Sequence, residues 1–370
     1  ISILDRTHTP MGGRLLKRWI SAPLIKLEPI LQRQTAVEEL FSKNGTRKYL
    51  AEELKEISDL ERLISKICTG RANPRDLVNL KFSLMKIPKV KNHLDDFKSD
   101  SLTIIKNELK PLSNIVEKID SAIVNTPPLS IADGGIIKPG YSIELDEIRD
   151  ISLNGKDWIA KQQQHERERT GISSLKISYN KVFGYYIDIS NAHKDKIPVD
   201  YIRKQTLVNS ERYITPELKE YEEKILNAEE KIYNLEFQLF NDIRQYIISE
   251  TTSIQNNARL IAKLDCLVSL AEIAEHYGYV KPTISESAIL DIKEGRHPVV
   301  ERILPPGEKF TPNSCNLDGE TSQIIILTGP NMAGKSVFLR QVGLIVLLAQ
   351  IGSFVPAEKA EIGLIDRIFT

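Results

Sequence analysis

The chain has 370 residues, enough for two or three domains, and 41% of them are hydrophobic, so it can bury a sizeable core. Lys plus Arg and Asp plus Glu number 50 each, which excludes a polycation and means that any nucleic-acid contact has to come from local basic patches. Three widely spaced cysteines fit neither a zinc knuckle nor a disulfide framework, and no apolar run is long enough to span a membrane, so we expect a cytoplasmic protein.

The first part of the chain is predicted to be helical. An amphipathic run extends from Arg14 to Ile20, and a second helix begins near Pro29. A third helix begins at Pro74 and is expected to end at Pro88, since proline breaks a helix interior. After turn-forming residues at 127–140, a long helix is predicted from Ile143 to about Arg169. The start at Ile1 in place of Met suggests a fragment.

A small β-rich insertion follows. Apolar and polar residues alternate from Leu175 to Tyr179 and again from Val182 to Ile189, which predicts a β-hairpin. Further short strands are expected around Tyr201 to Tyr213. The insertion therefore lies between helical segments.

A long helix is predicted from Pro216 to about Tyr277, with a break near Thr251. Apolar residues recur at heptad spacing over its first part, at Leu218, Tyr221, Ile225, Ala228, Ile232, Leu235 and Leu239. This spacing is typical of a coiled-coil arm, and it also fits a helix in the core of a bundle.

The composition changes after Gly278. Ile289–Ile292 and Pro298–Ile303 are predicted strands, and Gln323–Thr328 has the continuous apolar character of a buried parallel strand. A helix is expected from Lys335 to about Gln350. Together these elements indicate the beginning of an α/β domain.

The residues between the last strand and helix form the pattern G-x-x-x-x-G-K-S, which is the Walker A loop. They are Gly329, Pro330, Asn331, Met332, Ala333, Gly334, Lys335 and Ser336. The glycines let backbone N–H groups point inward at an anion, and the helix N-terminus adds positive charge. Lys335 is expected to reach the β- and γ-phosphates, and the Ser336 hydroxyl to ligate Mg²⁺. The loop predicts ATP or ADP binding with Mg²⁺.

ATP hydrolysis is a separate question, because it also needs a Walker B carboxylate and a group that orients water. Only 34 residues follow Ser336, and Ile362–Thr370 contains no strand that ends in adjacent acids. We therefore expect this chain to bind ATP without hydrolysing it efficiently.

Several segments, in order along almost the whole chain, resemble the MutS family of DNA mismatch repair proteins. They are Thr9–Trp19, Tyr179–Ile187, Arg203–Tyr213, Glu294–Val300, Thr328–Ser336, Leu339–Gln341 and Gln350–Ala357. The resemblance implies a multidomain α plus α/β fold: a helical core with long lever helices, a β-rich clamp and the start of a P-loop (ABC-type) ATPase domain. The implied bounds are 1–155 and 216–279 for the core and lever, 156–215 for the clamp, and 280–370 for the ATPase part.

Members of this family act as dimers that encircle duplex DNA, use ATP to switch from mismatch search to a sliding state, and cooperate with a MutL-type partner. The resemblance implies the same for the intact protein, in the bacterial cytosol at the nucleoid. It also implies that Phe310, 19 residues before Gly329, stacks on adenine. His297 lies in a matching motif, and we interpret it as a hydrogen-bonded structural residue.

A local basic cluster supports DNA contact by the clamp. The candidate residues are Lys176, Lys181, Lys194, Lys196, Arg203 and Lys204, interleaved with aromatic side chains. Lys and Arg bind backbone phosphates, which dominate duplex affinity and make it depend on salt. Acidic neighbours such as Asp188 and Glu211 dilute the cluster, so an ordinary solvated surface is the alternative.

Two departures from the family limit these expectations. No Phe-x-Glu mismatch wedge occurs in the chain, and the signature loop and dimerisation helices of the family would follow Thr370. We therefore expect no mismatch recognition by this chain alone. The alternatives are a MutS-branch protein of recombination or ribosome rescue, an SMC- or ABC-like DNA-associated ATPase, and a helical scaffold whose P-loop is only a switch.

Overall fold

The computed structural model describes residues 3–180, 184–305, 307–330 and 334–369, without the side chains of residues 151, 154–156, 225 and 226. The chain divides into two compact units. Unit 1 comprises Ile1–Ala72, Asp76–Glu117 and Ile247–Thr370, and unit 2 comprises Asn73–Arg75 and Lys118–Tyr246. The predicted mixture of many helices and small sheets is confirmed.

Helices make up most of both units. Their bounds are α1 Pro10–Ser21, α2 Leu27–Ser42, α3 Asn44–Lys55, α4 Leu60–Cys68, α5 Pro74–His93, α6 Asp100–Glu108, α7 Ser113–Ala122, α8 Ile143–Thr170, α9 Pro216–Ser249, α10 Thr251–Tyr277, α11 Val300–Ile303 and α12 Lys335–Gln350. The predicted long helix from Ile143, the break near Thr251 and the helix from Lys335 are all confirmed. Within the described ranges, no helix combines the length and the apolar character that a membrane crossing needs.

In the described ranges, eight short strands form two sheets of four. Their bounds are β1 Lys176–Asn180, β2 Gly184–Ser190, β3 Ile202–Thr206, β4 Ser210–Ile214, β5 Thr283–Ser285, β6 Leu290–Gly295, β7 Asn313–Leu317 and β8 Lys359–Gly363. The first sheet has the order β1-β2-β4-β3 and is antiparallel throughout. The second has the order β5-β8-β6-β7, in which only β5 and β8 run parallel.

The central helix of unit 1 is α10. It is buried along most of its length and contacts α1, α2, α3, α4 and α6. A helix that is apolar on nearly every side has to be surrounded by other elements, because its apolar surface would otherwise face water. Helix α10 is therefore a core helix of unit 1. The heptad residues from Leu218 to Leu239 lie in α9, and for them the coiled-coil and bundle interpretations both stay predictions.

A buried carboxylate on α10 holds the start of α1. Asp265 accepts hydrogen bonds from the backbone N–H groups of His8 and Thr9, at 2.9 and 2.8 Å, and from the Thr9 hydroxyl at 2.7 Å. Thr9 is itself the N-cap of α1, and its hydroxyl accepts from the N–H of Gly12. The helix N-terminus carries free donors and partial positive charge, which compensate a carboxylate taken out of water. Burial nevertheless raises the pKa of Asp265 above its usual range.

In unit 2 the first sheet packs against two helices. Its apolar face, with Ile187, Ile189 and Tyr213, meets Trp158 of α8 and Leu218 of α9. The Trp158 ring stacks on Tyr221 with 3.7 Å between the ring centroids, which joins α8 to α9. The predicted hairpin is confirmed by the pairing of β1 with β2, and the further strands by β3 and β4. Val182 and Phe183, at the start of the second predicted strand, lie outside the described residues. Helix α8 runs unbroken across the predicted boundary at 155/156.

The prediction of a buried parallel strand at Gln323–Thr328 is wrong. The segment has no regular secondary structure, and the side chains of Ile324 and Ile326 are 82% and 83% exposed. A strand needs hydrogen-bond partners on a neighbouring strand. The four strands of the second sheet pair with one another and leave this segment outside. Its apolar side chains are therefore exposed, and no described residue covers them.

The predicted strand at Pro298–Ile303 is also wrong, since α11 occupies its second part. The ring nitrogen Nδ1 of His297 accepts from the N–H groups of Val299 and Val300, both at 3.2 Å. This caps the free donors of the turn and favours helical over extended backbone. The structural interpretation of His297 agrees with this geometry, and burial lowers the pKa of its ring, which keeps the accepting nitrogen unprotonated.

Helix α5 continues past Pro88 to His93, so the predicted end at Pro88 is wrong. A proline inside a helix removes one backbone hydrogen bond and costs about 3 kcal/mol. Ile87, Val90 and Leu94 are fully buried around it. Burial of a large aliphatic side chain contributes about 1.5–3 kcal/mol, so three such side chains offset the cost of the proline.

Replacement of Gly12 by alanine should destabilise unit 1. A Cβ at Gly12 would lie 2.1 Å from an Asp265 carboxylate oxygen, which is closer than any real contact, so Asp265 or α1 would have to move. We expect a loss of about 1–3 kcal/mol, as for other overpacked cores, measured by urea unfolding. Gly45→Ala is the matched control, because a Cβ there meets nothing within 4 Å on α3. It should stabilise by about 0.5–1 kcal/mol, and equal effects of both changes would contradict the role of Asp265.

Candidate functional sites

The loop before α12 carries the predicted phosphate-binding residues. Asn331, Met332 and Ala333 lie outside the described residues, so their roles stay predictions. Gly334 is the N-cap of α12 and has φ 87°, a left-handed backbone that glycine adopts without steric cost. The free N–H groups of the following turn give this end of α12 a positive potential. Gly329, Pro330 and Ser336 are exposed beside it.

Lys335 and Phe310 line the same cavity of about 790 Å³. Strand β7 contributes Asn313, Cys315 and Asn316 to its wall. The Lys335 ammonium donates to the carbonyl oxygen of Gly329 and thus stays over the loop. The structure therefore brings together an aromatic ring and a lysine that are 25 positions apart in sequence.

No group of three His, Cys, Asp or Glu side chains within the described ranges could hold a metal ion. A metal at the loop would accordingly take its ligands from Ser336 and from phosphate oxygens, as Mg²⁺ does in P-loop proteins. The predicted role of Ser336 in binding Mg²⁺ remains a prediction.

The second candidate site is the sheet of unit 2, which is held to α8 by a buried polar network. The Tyr201 hydroxyl donates to a Glu166 carboxylate oxygen at 2.7 Å, and Arg169 forms an ion pair with the same oxygen at 3.1 Å. Arg169 also donates to both carboxylate oxygens of Asp200, at 3.0 and 2.8 Å. Burial and the hydrogen bond to Glu166 raise the pKa of Tyr201 above its usual range. The network fixes the loop before β3 relative to the end of α8.

A second polar network is centred on Glu211 in β4. Its carboxylate accepts from the Tyr213 hydroxyl and pairs with Lys194 at 3.0 Å and with Arg203 at 3.8 Å. The Tyr213 hydrogen bond and the Lys194 ammonium lower the pKa of Glu211 below its usual range. Burial and the same hydrogen bond raise the pKa of Tyr213 to about 12. The Glu211 side chain is 6% exposed, whereas Lys194 and Arg203 are 49% and 64% exposed, so both cations can still reach solvent.

The predicted DNA-binding residues do not form one uniform patch. Lys194 and Arg203 meet at Glu211, whereas Lys176 lies directly across the β1–β2 pair from Asp188. Lys204 lies at the register shift between β3 and β4, and Lys196 is exposed in the short turn after β2. Lys181 lies outside the described residues. The cations are distributed over the sheet with carboxylates between them.

Comparison with known proteins gives a single family over the chain. Residues 1–271 match the family model described as MutS domain III, and residues 325–370 match MutS domain V. A protein of Salinibacter ruber named DNA mismatch repair protein MutS is 55% identical over 370 residues, which are 100% of this chain and 41% of that protein.

Two further proteins with that name show similar agreement. The one from Phocaeicola vulgatus is 52% identical over 370 residues, which are 100% of this chain and 42% of its own length. The one from Acetivibrio thermocellus is 50% identical over 368 residues and is covered to 42%. The chain thus spans about two fifths of the length of these curated relatives.

Sequence reasoning missed the two residues that organise the sheet of β1–β4. Glu211 is noted in the sequence only as an acid that dilutes the basic cluster, and Glu166 is one of several charged residues of α8. The available signal was weak: Glu211 lies two residues before Tyr213, so a strand places both side chains on one face. Glu166 and Tyr201 are 35 positions apart, and no local pattern relates them.

Removal of the Tyr201 hydroxyl should destabilise unit 2. Tyr201→Phe leaves the ring in place and deletes the donor to the buried Glu166 carboxylate. We expect a loss of about 1–3 kcal/mol, as for a hydrogen bond to a charged group, measured by thermal unfolding. Tyr179→Phe is the matched control, since that ring is 48% exposed and lies 5.1 Å from the Tyr185 ring, centroid to centroid. Equal stability of the two variants would rule out a structural role for the Tyr201 hydroxyl.

Proposed function

Because the chain belongs to the MutS family, we propose that it forms the part of a DNA mismatch repair protein that contacts duplex DNA and binds ATP. The observation that carries the proposal is the match of the whole chain, at 50–55% identity, to proteins named DNA mismatch repair protein MutS. An SMC- or ABC-like ATPase would share the loop of Gly329–Ser336 and would not share a domain III match over residues 1–271.

The cavity between Phe310 and Lys335 is suited to a nucleoside triphosphate. Its volume of about 790 Å³ lies within the range of about 300–1,000 Å³ that is usual for small-molecule sites. Lys335 and the N-terminus of α12 supply positive charge for the phosphates, and Phe310 supplies an aromatic face for the base in the same cavity. A bound triphosphate would replace the Gly329 carbonyl as the acceptor of the Lys335 ammonium.

In this proposal each residue of the loop has one role. The backbone at Gly329–Gly334 cradles phosphate oxygens, Lys335 pairs with their charge, and Ser336 ligates Mg²⁺. Phe310 stacks on the adenine ring and thereby excludes water from one of its faces. ATP turnover belongs to the proposal for the intact protein, since a Walker B carboxylate is needed to hold Mg²⁺.

The sheet of β1–β4 is the proposed DNA contact. Its exposed cations would neutralise backbone phosphates and release counterions, which gives affinity without sequence preference. Glu211 would moderate this affinity, because Lys194 and Arg203 have to leave its carboxylate before they bind phosphate. The homodimer, the MutL-type partner and the nucleoid location of the intact protein follow from the family resemblance and are proposed with it.

Nucleotide binding should depend on Lys335 and Phe310. We expect Lys335→Ala to weaken binding of a fluorescent ATP analogue by about a hundredfold, because a charge-assisted phosphate contact is lost. Phe310→Ala should weaken binding by about tenfold, and Phe310→Tyr should retain it, since stacking needs only the ring. Lys359→Ala is the matched control, because Lys359 is exposed on β8. Unchanged affinity in both loop and ring variants would disprove the nucleotide site.

Removal of cations from the sheet should weaken DNA binding, whereas neutralisation of Glu211 should strengthen it. The double change Arg203→Gln and Lys204→Gln should weaken binding of a matched duplex. It should also make the slope of log affinity against log salt concentration shallower by about two, because two phosphate contacts are lost. Glu211→Gln should tighten binding at low salt, since it frees Lys194 and Arg203. Glu220→Gln on α9 is the matched control, with the same charge change at an exposed pair with Lys224.

Fluorescence anisotropy across a salt series measures both changes. If Glu220→Gln tightens binding as much as Glu211→Gln does, only net charge matters and the role of Glu211 fails. A mismatched duplex should bind as the matched one does, because the proposed contacts are all to the backbone.

A further inference from the structure

A cavity that shares no lining residue with the proposed nucleotide site lies among four helices of unit 1. It has a volume of about 270 Å³ and is formed by side chains of α1, α2, α6 and α10. Three of its lining residues are cations, namely Arg33, Arg259 and Lys263. Trp19 and Ser101 form other parts of the wall. Among the residues that the structure describes, no carboxylate belongs to the lining of this cavity.

Arg33 is fixed in this cavity by contacts that leave its charge unpaired. Its guanidinium carbon lies 3.6 Å from the centroid of the Trp19 ring, and its Nη1 donates to the carbonyl oxygen of Ile351 at 3.1 Å. Within the described part of the chain, no carboxylate lies within 4.0 Å of its nitrogens. Burial lowers the pKa of Arg33 to about 10. Guanidinium has five N–H groups, so several donors remain for a ligand.

Lys263 and Arg259 add two more charges from α10. They are four residues apart and therefore lie on the same face of the helix, where like charges repel. Arg259 donates to Asn256 at 2.9 Å and has Glu108 only at 3.8 Å, with half of that carboxylate exposed. Lys263 has neither a hydrogen bond nor an ion pair to a described residue. Burial, followed by the charges of Arg33 and Arg259, lowers its pKa.

Three cations around one small cavity form an incomplete electrostatic arrangement. Arg33 and Lys263 are half-buried and have lost part of their hydration, whereas the Arg259 side chain is 72% exposed. The three like charges repel one another. An anion in the cavity would reverse both effects at once. A cavity of 270 Å³ lies below the usual range for drug-sized ligands, so it suits a single compact group and excludes a whole nucleotide.

We propose that this cavity binds one tetrahedral oxyanion, a phosphate group, between Arg33, Arg259 and Lys263. The edge of the Arg33 guanidinium and the Lys263 ammonium would donate to its oxygens, and the Ser101 hydroxyl is placed in the same wall to donate a further bond. The site is separate from the proposed nucleotide site, and it would hold α1, α2 and α10 together when occupied.

The test is binding of inorganic phosphate by isothermal titration calorimetry at constant ionic strength. The intact chain carries Lys335→Ala in every sample, so that the proposed nucleotide loop does not contribute. Saturable binding with one site is expected. Lys263→Gln should weaken it at least tenfold, and Arg259→Gln should weaken it in the same direction. Lys17→Gln is the matched control on the exposed side of α1, and it should leave the affinity within twofold.

Absence of saturable binding, or equal affinities in Lys263→Gln and Lys17→Gln, overturns the proposal. Far-ultraviolet circular dichroism of each variant separates loss of binding from loss of fold, and Arg259→Gln supplies a second variant if the first does not fold. Competition by dimethyl phosphate distinguishes the sources. Displacement of inorganic phosphate would assign the site to a nucleic-acid backbone, and no displacement would assign it to the free ion.

Discussion

Much of unit 1 depends on one buried carboxylate. Asp265 lies in the middle of α10 and receives three hydrogen bonds from the segment that begins α1. Burial of a carboxylate costs free energy, and the three hydrogen bonds to Asp265 offset this cost. Without the carboxylate, the donors of His8 and Thr9 would lose their partner. The arrangement fixes the position of α1 along α10, and Gly12 is required because no side chain fits between the two helices. Helices α2, α3, α4 and α6 then pack around α10 on its remaining faces.

The sequence predicted the elements whose information is local. The hairpin of β1 and β2 follows from strict alternation, and the start of α12 follows from the glycine-rich loop before it. The break between α9 and α10 was also readable, at a run of Thr and Ser. In each of these cases neighbouring residues decide the structure. Lys335 was assigned to a phosphate site from the Walker A pattern and Phe310 from the family resemblance, and both line one cavity.

The failures have a common physical cause. Apolar composition at Gln323–Thr328 indicates that the segment avoids water, but it does not provide the neighbouring strand that a sheet requires. At Pro298–Ile303 the side chain of His297 supplies acceptors that β-propensity does not include. Pro88 is overridden by burial of the residues around it. Long-range pairs such as Glu166 with Tyr201 depend on the folded chain alone, so no window of sequence contains them.

The chain has equal numbers of acidic and basic side chains, so local pairing determines where positive charge is available. In the sheet of unit 2, Glu211 pairs with Lys194 and Arg203, and both cations are exposed to solvent. A polyanion such as duplex DNA would compete with the Glu211 carboxylate for them. Among α1, α2 and α10, three cations share one cavity whose described lining holds no carboxylate, and Glu108 lies 3.8 Å from Arg259. The first arrangement suits a reversible contact, because Lys194 and Arg203 pair with Glu211 when no polyanion is bound and would pair with the polyanion when it binds. In the second, Glu108 near Arg259 relieves only part of the repulsion, so an anion in the proposed site would lower the electrostatic energy of the three cations. The two proposed anion sites thus use the same residue types and differ in how closely the fold places a competing carboxylate beside the cations.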